Sequence, residues 1–191
     1  MFWFLIDLFF TIIALGTSIP VCQSNGIPFL DAVTKWLAFL TFSGCMCGFL
    51  MMILRPLTKI HFDPQKKIWR IPQWEQKIYK KINVHRLQKL VPDFGFLVNF
   101  KKKIAADEIK NLDFYKKFIY ENVNGSLLHF CDIWLSLLFF FFLPKEFYLT
   151  IGLVGMIMIF VLSMMSVILQ RSVRPRLLQV YERLKAREEK K

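Results

Sequence analysis

Four apolar runs dominate the chain and predict how it is organised. They cover residues 1–19, 36–54, 127–143 and 147–169. Each is close to the roughly 20 residues that an α-helix needs to cross the hydrocarbon core of a bilayer. The pattern therefore predicts an all-α integral membrane protein with four transmembrane helices, forming one membrane domain over residues 1–191.

The first run predicts a retained helix rather than a cleaved leader, because it lacks a basic stretch ahead of it and contains Asp7. Proline and glycine then suggest where the helices end. Pro20 and Pro56 predict the ends of the first two spans, and Asn124-Gly125 predicts a turn or hinge before the third. In the second span, Gly44 and Gly48 indicate close contact with another helix.

Two polar, basic segments follow the second and fourth spans, over residues 55–125 and 170–191. In the first segment, aromatic and branched residues recur at near-helical spacing with lysines between them: Trp69, Trp74, Ile78 and Ile82. This pattern predicts an amphipathic helix lying at the headgroup level of the membrane. The tail is expected to be a basic helix from Arg176 onward.

The positive charges predict an orientation. The formal net charge is +12, and of the 26 Lys and Arg residues, sixteen lie in residues 55–125 and eight in residues 170–191. The positive-inside rule then places both termini and both basic segments in the cytoplasm of a multi-pass protein of the cell membrane. Because the charges lie beside apolar runs, they favour anionic lipid as a partner over nucleic acid.

The sequence lacks the motifs that are typical of zinc sites, nucleotide-binding loops and serine hydrolases. The four cysteines have no zinc-type spacing, and three of them lie in apolar runs, so we interpret them as small apolar residues. There is no glycine-rich nucleotide loop and no nucleophile elbow. We expect no metal and no bound cofactor.

His129 and Asp132 are the candidate catalytic pair, because ionisable groups inside a membrane span are costly and need a partner or a function. Their spacing of three makes them neighbours on a helix. A carboxylate beside an imidazole can hold it as a general base. The alternative is that both residues bond within the bundle and only stabilise it.

Two stretches of the third span and the tail carry a resemblance to a known family. Residues 170–177 read QRSVRPRL, and residues 121–130 read ENVNGSLLHF. The first is similar to Gln-Arg-Tyr-Asn-Arg-Pro-Arg-Leu, and in the second Glu121, Leu127 and His129 match Glu-Thr-x-Arg-Ala-Glu-Leu-x-His-Trp. Both patterns belong to a family of small membrane acyltransferases, typified by glycosyl-4,4'-diaponeurosporenoate acyltransferase, which the chain therefore resembles.

Residues 74–79 add a further match, because Trp74-Glu75 and Tyr79 resemble the family's Trp-Glu and Tyr segment. The chain also departs from the family. Ser126 stands where the family has its second glutamate, and Asn124-Gly125 where it has Arg-Ala.

The resemblance implies acyl transfer from an acyl thioester, such as acyl-CoA, to a hydroxyl of a lipid-linked acceptor, glycosylated or not, at the cytoplasmic face. His129 would be the base, with Asp132 or Glu121 orienting it. The residues expected to bind substrate are Arg171, Arg174 and Arg176, which would hold donor phosphates, together with Gln170 and Trp74.

Two other functions stay open at this point. The chain could be a non-catalytic membrane subunit or scaffold that binds anionic lipid or a protein partner. It could also move ions or protons through Asp7, His129 and Asp132, although these groups are predicted on one side of the membrane and not in a chain across it.

Overall fold

The computed structural model describes residues 2–64, 66–84 and 111–190, and in those parts the chain is helical without strands. The short helices are a 3-10 turn at Lys67–Trp69, two more at Leu137–Phe141 and Lys145–Phe147, and a π-helical turn at Tyr148–Gly152. The α-helices are α1 (Phe2–Asn25), α2 (Phe29–His61), α3 (Gln73–Lys81), α4 (Leu112–Ser136) and α5 (Leu153–Glu188).

Four helical segments are long and apolar enough to cross a membrane. They are Phe4–Asn25, Phe29–Lys59, Leu112–Phe141 and Lys145–Glu188. The prediction of an all-α protein with four membrane-length helices is therefore confirmed. The predicted amphipathic segment is described in part, because residues 85–110 lie outside the described chain.

Proline does not end the helices, and the predicted ends at Pro20 and Pro56 are wrong. Both residues lie inside their helices, as does Pro175, so the tail helix does not start at Arg176 but continues from Leu153. Each proline removes one backbone donor. In the apolar helix α1, a continuous helix still satisfies the remaining backbone groups best, which is why Pro20 is tolerated there.

The first helix ends at a glycine instead. Gly26 has a φ of 64°, a left-handed conformation that glycine adopts at little cost. The Ile27 N–H then donates to the Cys22 carbonyl at 2.9 Å, closing the last turn of α1.

The hinge predicted at Asn124-Gly125 is also wrong, because both residues lie inside the continuous helix α4. A Cβ on Gly125 would lie 2.6 Å from the side-chain nitrogen of Gln170. Gly125 therefore provides room for a neighbouring side chain, and its low helix propensity does not interrupt α4.

The chain forms two compact units. The first unit comprises Met1–Leu54 and Leu128–Met165, and the second comprises Arg55–Leu127 and Ser166–Lys191. Helices α2, α4 and α5 contribute residues to both.

Aromatic side chains fill the core of the first unit. Trp36 stacks on Phe39 with ring centroids 5.6 Å apart, and Phe39 meets Phe139 edge-to-face at 5.0 Å. The indole N–H of Trp36 donates to the Thr11 hydroxyl at 3.0 Å, so the one polar atom of this buried ring has a partner.

Close packing in the first unit occurs at Gly155 and not at the glycines of the second span. A Cβ on Gly155 would lie 2.5 Å from the ring of Phe39, which is fully buried. In contrast, no described atom comes within 4 Å of a Cβ built on Gly44 or Gly48. The expected helix contact at those two glycines is therefore wrong for the described part of this chain.

We predict that Gly155→Ala destabilises the first unit, because the Phe39 ring is enclosed and cannot move aside. Overpacking of this kind costs about 1–3 kcal/mol. Gly44→Ala is the matched control, since it introduces the same methyl group into open space. Thermal unfolding in detergent measures both, and equal melting temperatures for the two variants would contradict the packing described for Gly155.

Candidate functional site

Helix α3 is a short element whose ends are set by its sequence. It follows Pro72, carries Glu75 in its first turn and has Lys80 and Lys81 in its last turn. These charges are opposite in sign to the partial charges of the two helix ends and therefore stabilise the helix. Asn83, with a φ of 52°, ends the helix in the left-handed conformation that asparagine tolerates better than most residues.

The two faces of α3 differ in character. Trp74, Ile78 and Ile82 are 64%, 44% and 56% exposed and form an apolar stripe at a spacing of four. Glu75 is buried. The amphipathic helix is shorter than the sequence predicts, because Trp69 belongs to the preceding 3-10 turn. Its position at a membrane surface stays a prediction.

A partly buried ion pair joins α3 to α5 within the second unit. Arg171 donates through Nε and Nη2 to the two carboxylate oxygens of Glu75, at 2.6 and 2.7 Å. The hydroxyl of Tyr79, one turn further along α3, also donates to Glu75. The bidentate geometry fixes the angle between the two groups as well as their distance.

The electrostatics of this trio follow from burial and hydrogen bonding. The hydrogen bonds from Arg171 hold the pKa of Glu75 below its ordinary value, although burial opposes this effect. Burial, followed by the bond to Glu75, raises the pKa of Tyr79 to about 12. At neutral pH the site therefore contains an ionised carboxylate, a charged arginine and a neutral phenol.

Arg174, one turn after Arg171 on α5, is almost fully buried, with 2% of its surface exposed. It donates to the Asn122 side-chain oxygen at 2.8 Å, to the Asn122 carbonyl at 3.3 Å and to the Ser126 hydroxyl at 2.6 Å. The amide nitrogen of Asn122 in turn donates to the Gln170 carbonyl at 2.7 Å. Within the described chain, Arg174 is thus held by neutral oxygens of α4 and forms no ion pair.

A third set of polar contacts joins the end of α2 to α4. Arg55 pairs with Glu121 at 2.5 Å, and Tyr120 donates to the Arg55 carbonyl at 2.7 Å. Thr58 donates to the Asn124 side chain at 3.2 Å. Glu121, a candidate for orienting His129, therefore has an arginine as its partner.

The candidate pair of the third span lies in the first unit, on α4. His129 is half-buried, and no hydrogen bond to it is found among the described residues. Asp132 is buried and accepts from the Ser163 hydroxyl at 3.4 Å, while its other oxygen has no protein partner in the described chain. The helix places the two residues one turn apart, as expected, but they do not bond to each other.

The remaining candidates differ in exposure. Trp74 belongs to the exposed stripe of α3, and Arg176 is exposed on α5. The side chain of Gln170 packs over Gly125. Sequence reasoning did not name Glu75, Tyr79 and Asn122 as site residues, although Trp74-Glu75 and Tyr79 were part of the family resemblance.

The described residues offer no group of three or more His, Cys, Asp and Glu side chains that could hold a metal ion. The polar chemistry of the second unit consists of arginines, amides, hydroxyls and carboxylates. In the contacts described above, these groups bond to one another.

Comparison with known families gives this arrangement a context. The family model for glycosyl-4,4'-diaponeurosporenoate acyltransferase matches residues 64–183. The chain belongs to this acyltransferase family. The matched stretch contains Glu75, Tyr79, Asn122, Arg171 and Arg174, so it covers the contacts of both arginines in the second unit. No curated protein and no solved structure matches the chain.

We predict that Glu75→Gln lowers the free energy of unfolding by about 1–3 kcal/mol at neutral pH, because it leaves the half-buried Arg171 without a counter-charge. Glu182→Gln is the control, since its pair with Arg70 is half-exposed and about 3.2 Å long, and such pairs contribute little. Because the folded-state pKa of Glu75 is depressed, its stabilisation is present above the unfolded pKa and is lost as the pH falls through the folded pKa.

Thermal unfolding in detergent, at neutral pH and in acid, measures these effects. The difference in melting temperature between wild type and Glu75→Gln should be smaller in acid than at neutral pH. If Glu75→Gln and Glu182→Gln lower the melting temperature equally at neutral pH, a structural role for the Glu75–Arg171 pair is contradicted.

Proposed function

We propose that this protein transfers a fatty acyl group from an acyl thioester to a hydroxyl of a lipid-linked acceptor at the cytoplasmic face of a membrane. The observation that carries the proposal is the family match over residues 64–183, which includes His129 as well as the buried polar contacts of the second unit. The four membrane-length helices support a lipid-linked acceptor.

In the proposed reaction His129 acts as the general base. It takes the proton of the acceptor hydroxyl while the oxygen attacks the thioester carbonyl. A C–O ester bond forms, the C–S bond breaks, and the proton passes from His129 to the leaving thiolate. The reaction needs no metal or oxidant, and the leaving group is released as a free thiol.

Asp132 is proposed to orient the histidine. It follows His129 by one turn on α4, and one of its oxygens has no protein partner in the described chain. A buried polar atom without a partner is costly and is available to a group that arrives with the substrate or reorients when it binds. Glu121 is a weaker candidate for orienting the histidine, because its carboxylate is already paired with Arg55.

The arginines of α5 take separate roles in this proposal. Arg171 and Arg174 are occupied by protein oxygens, so we propose that they hold α3 and α4 in place around the substrate. Arg176 is exposed and remains available for a donor phosphate. Trp74 is proposed to anchor α3 at the membrane surface, and Gln170 to pack the helices rather than contact substrate.

We predict that His129→Ala abolishes transfer while the protein still folds. General-base catalysis contributes about 100- to 10,000-fold to a rate, so product should fall at least 100-fold. Membranes with equal amounts of wild type or variant are incubated with long-chain acyl-CoA and lipid extract from the source cell. Mass spectrometry then detects a lipid heavier by one acyl group.

Cys131→Ala is the matched control for this experiment, because it truncates a partly buried side chain two residues further along the same helix. It should retain product formation. A wild type that makes no acylated lipid from the natural extract would contradict the proposal, and loss of folding in His129→Ala with no product from the wild type would favour a non-catalytic membrane subunit.

We also predict that Asp132→Asn reduces kcat about tenfold or more and leaves the KM for the thioester within about twofold, since the role proposed for Asp132 is orientation of the base and not substrate binding. Ser163→Ala, which removes the hydrogen-bond donor to Asp132 without changing its charge, should reduce kcat less. Unchanged turnover in Asp132→Asn would show that Asp132 has no part in the reaction.

A further inference from the structure

A cavity of about 410 Å³ lies in the second unit, between α3, the turn that ends it and α5. Its size is within the range of small-molecule sites and exceeds what a single inorganic ion fills. The residues that matter for its chemistry are Tyr79, Lys80, Asn83, Ser172, Pro175 and Arg176.

The cavity is positively charged. Lys80 and Arg176 come from different helices, both are exposed, and both line it. None of its described lining residues is acidic. Two cations at one cavity repel each other unless an anion lies between them, so the arrangement favours a negatively charged ligand.

The buried contacts behind the cavity reinforce this charge. Tyr79 lines the cavity and donates its hydroxyl to Glu75, whose negative charge is already paired with Arg171. Arg174, one turn away on α5, has neutral oxygens as partners. With one carboxylate for two arginines, the group formed by Glu75, Arg171 and Arg174 is positive overall.

The neutral lining groups suit an anion attached to a larger polar group. Asn83 is exposed just after α3, where its backbone is left-handed, and its side-chain amide can donate. Ser172 donates its own proton to the Leu169 carbonyl at 2.8 Å, which leaves its oxygen as an acceptor. Pro175 has no N–H and adds an apolar surface.

We propose that this cavity binds a phosphate ester, with Arg176 and Lys80 holding the phosphate oxygens. A guanidinium matches two phosphate oxygens at once, and an ammonium adds a compact point charge. The phosphate can belong to the nucleotide part of an acyl-CoA donor or to the headgroup of an anionic lipid. The assignment to the donor rests on the proposed acyl transfer, whereas binding itself does not.

Charge-matched variants test the proposal. Lys80→Gln and Arg176→Gln remove the cavity cations, while Lys77→Gln on α3 and Arg183→Gln on α5 remove exposed cations that do not line it. All four change the net charge equally, so non-specific attraction of anions is controlled. Because all four positions are exposed, we expect every variant to fold.

The first arm measures the Kd of free coenzyme A for the full-length protein in neutral detergent. Loss of one charge-assisted phosphate contact should weaken binding about tenfold in each cavity variant, with both controls within about twofold of wild type. This result would show that the cavity binds the phosphate of the nucleotide part of the donor.

The second arm measures binding of phosphatidylglycerol to the same proteins in bilayer discs of phosphatidylcholine with and without phosphatidylglycerol. A tenfold loss here, with unchanged coenzyme A binding, assigns the phosphate to a lipid headgroup. If the cavity variants and the controls behave alike in both arms, the proposal is overturned.

Acyl transfer is measured separately, so the two proposals can fail independently. Normal coenzyme A binding without any transfer by the wild type would contradict the proposed function and leave the phosphate site intact. Normal transfer with cavity variants that bind both probes like wild type would contradict the phosphate site alone.

Discussion

A buried guanidinium must find oxygen atoms to replace water, and this requirement organises the second unit. Helix α5 carries a partly buried guanidinium, that of Arg171, and one turn later a buried one, that of Arg174. Arg171 donates two short hydrogen bonds to Glu75 of α3. Arg174 donates to Asn122 and Ser126 of α4. These contacts fix α3 and the neighbouring part of α4 on α5. The charged cavity beside them exists because α3 is held there.

The same contacts explain why sequence reasoning found the arginines but not their partners. Arg171 and Arg174 were recognisable as a basic motif after an apolar run, yet Glu75 lies 96 positions from Arg171, and Asn122 lies 52 positions from Arg174. No local periodicity links residues that far apart. For the same reason, the spacing of His129 and Asp132 showed that they share a helix face but could not show that Asp132 bonds to Ser163.

Much of the fold could be predicted, because the length and apolar character of a membrane helix are properties of a continuous stretch of sequence. Its ends were harder to predict. Pro20, Pro56 and Gly125 are local signals for helix ends or bends, and each lies inside a longer helix. At these positions, the gain from continuous backbone hydrogen bonding and from packing outweighs intrinsic propensity. Gly26, by contrast, has a positive φ and does follow the end of a helix.

The chain belongs to an acyltransferase family and has four membrane-length helices. Under the proposed function, it brings a thioester and a lipid-linked hydroxyl together. The most direct measurement uses purified wild-type protein, a thioester with an isotopically labelled acyl chain and lipid extract from the source cell. The account predicts that the label appears in an ester-linked lipid while an equal amount of free thiol is released. Release of thiol with the label found as free fatty acid, or no release at all, would contradict acyl transfer as the function of this protein.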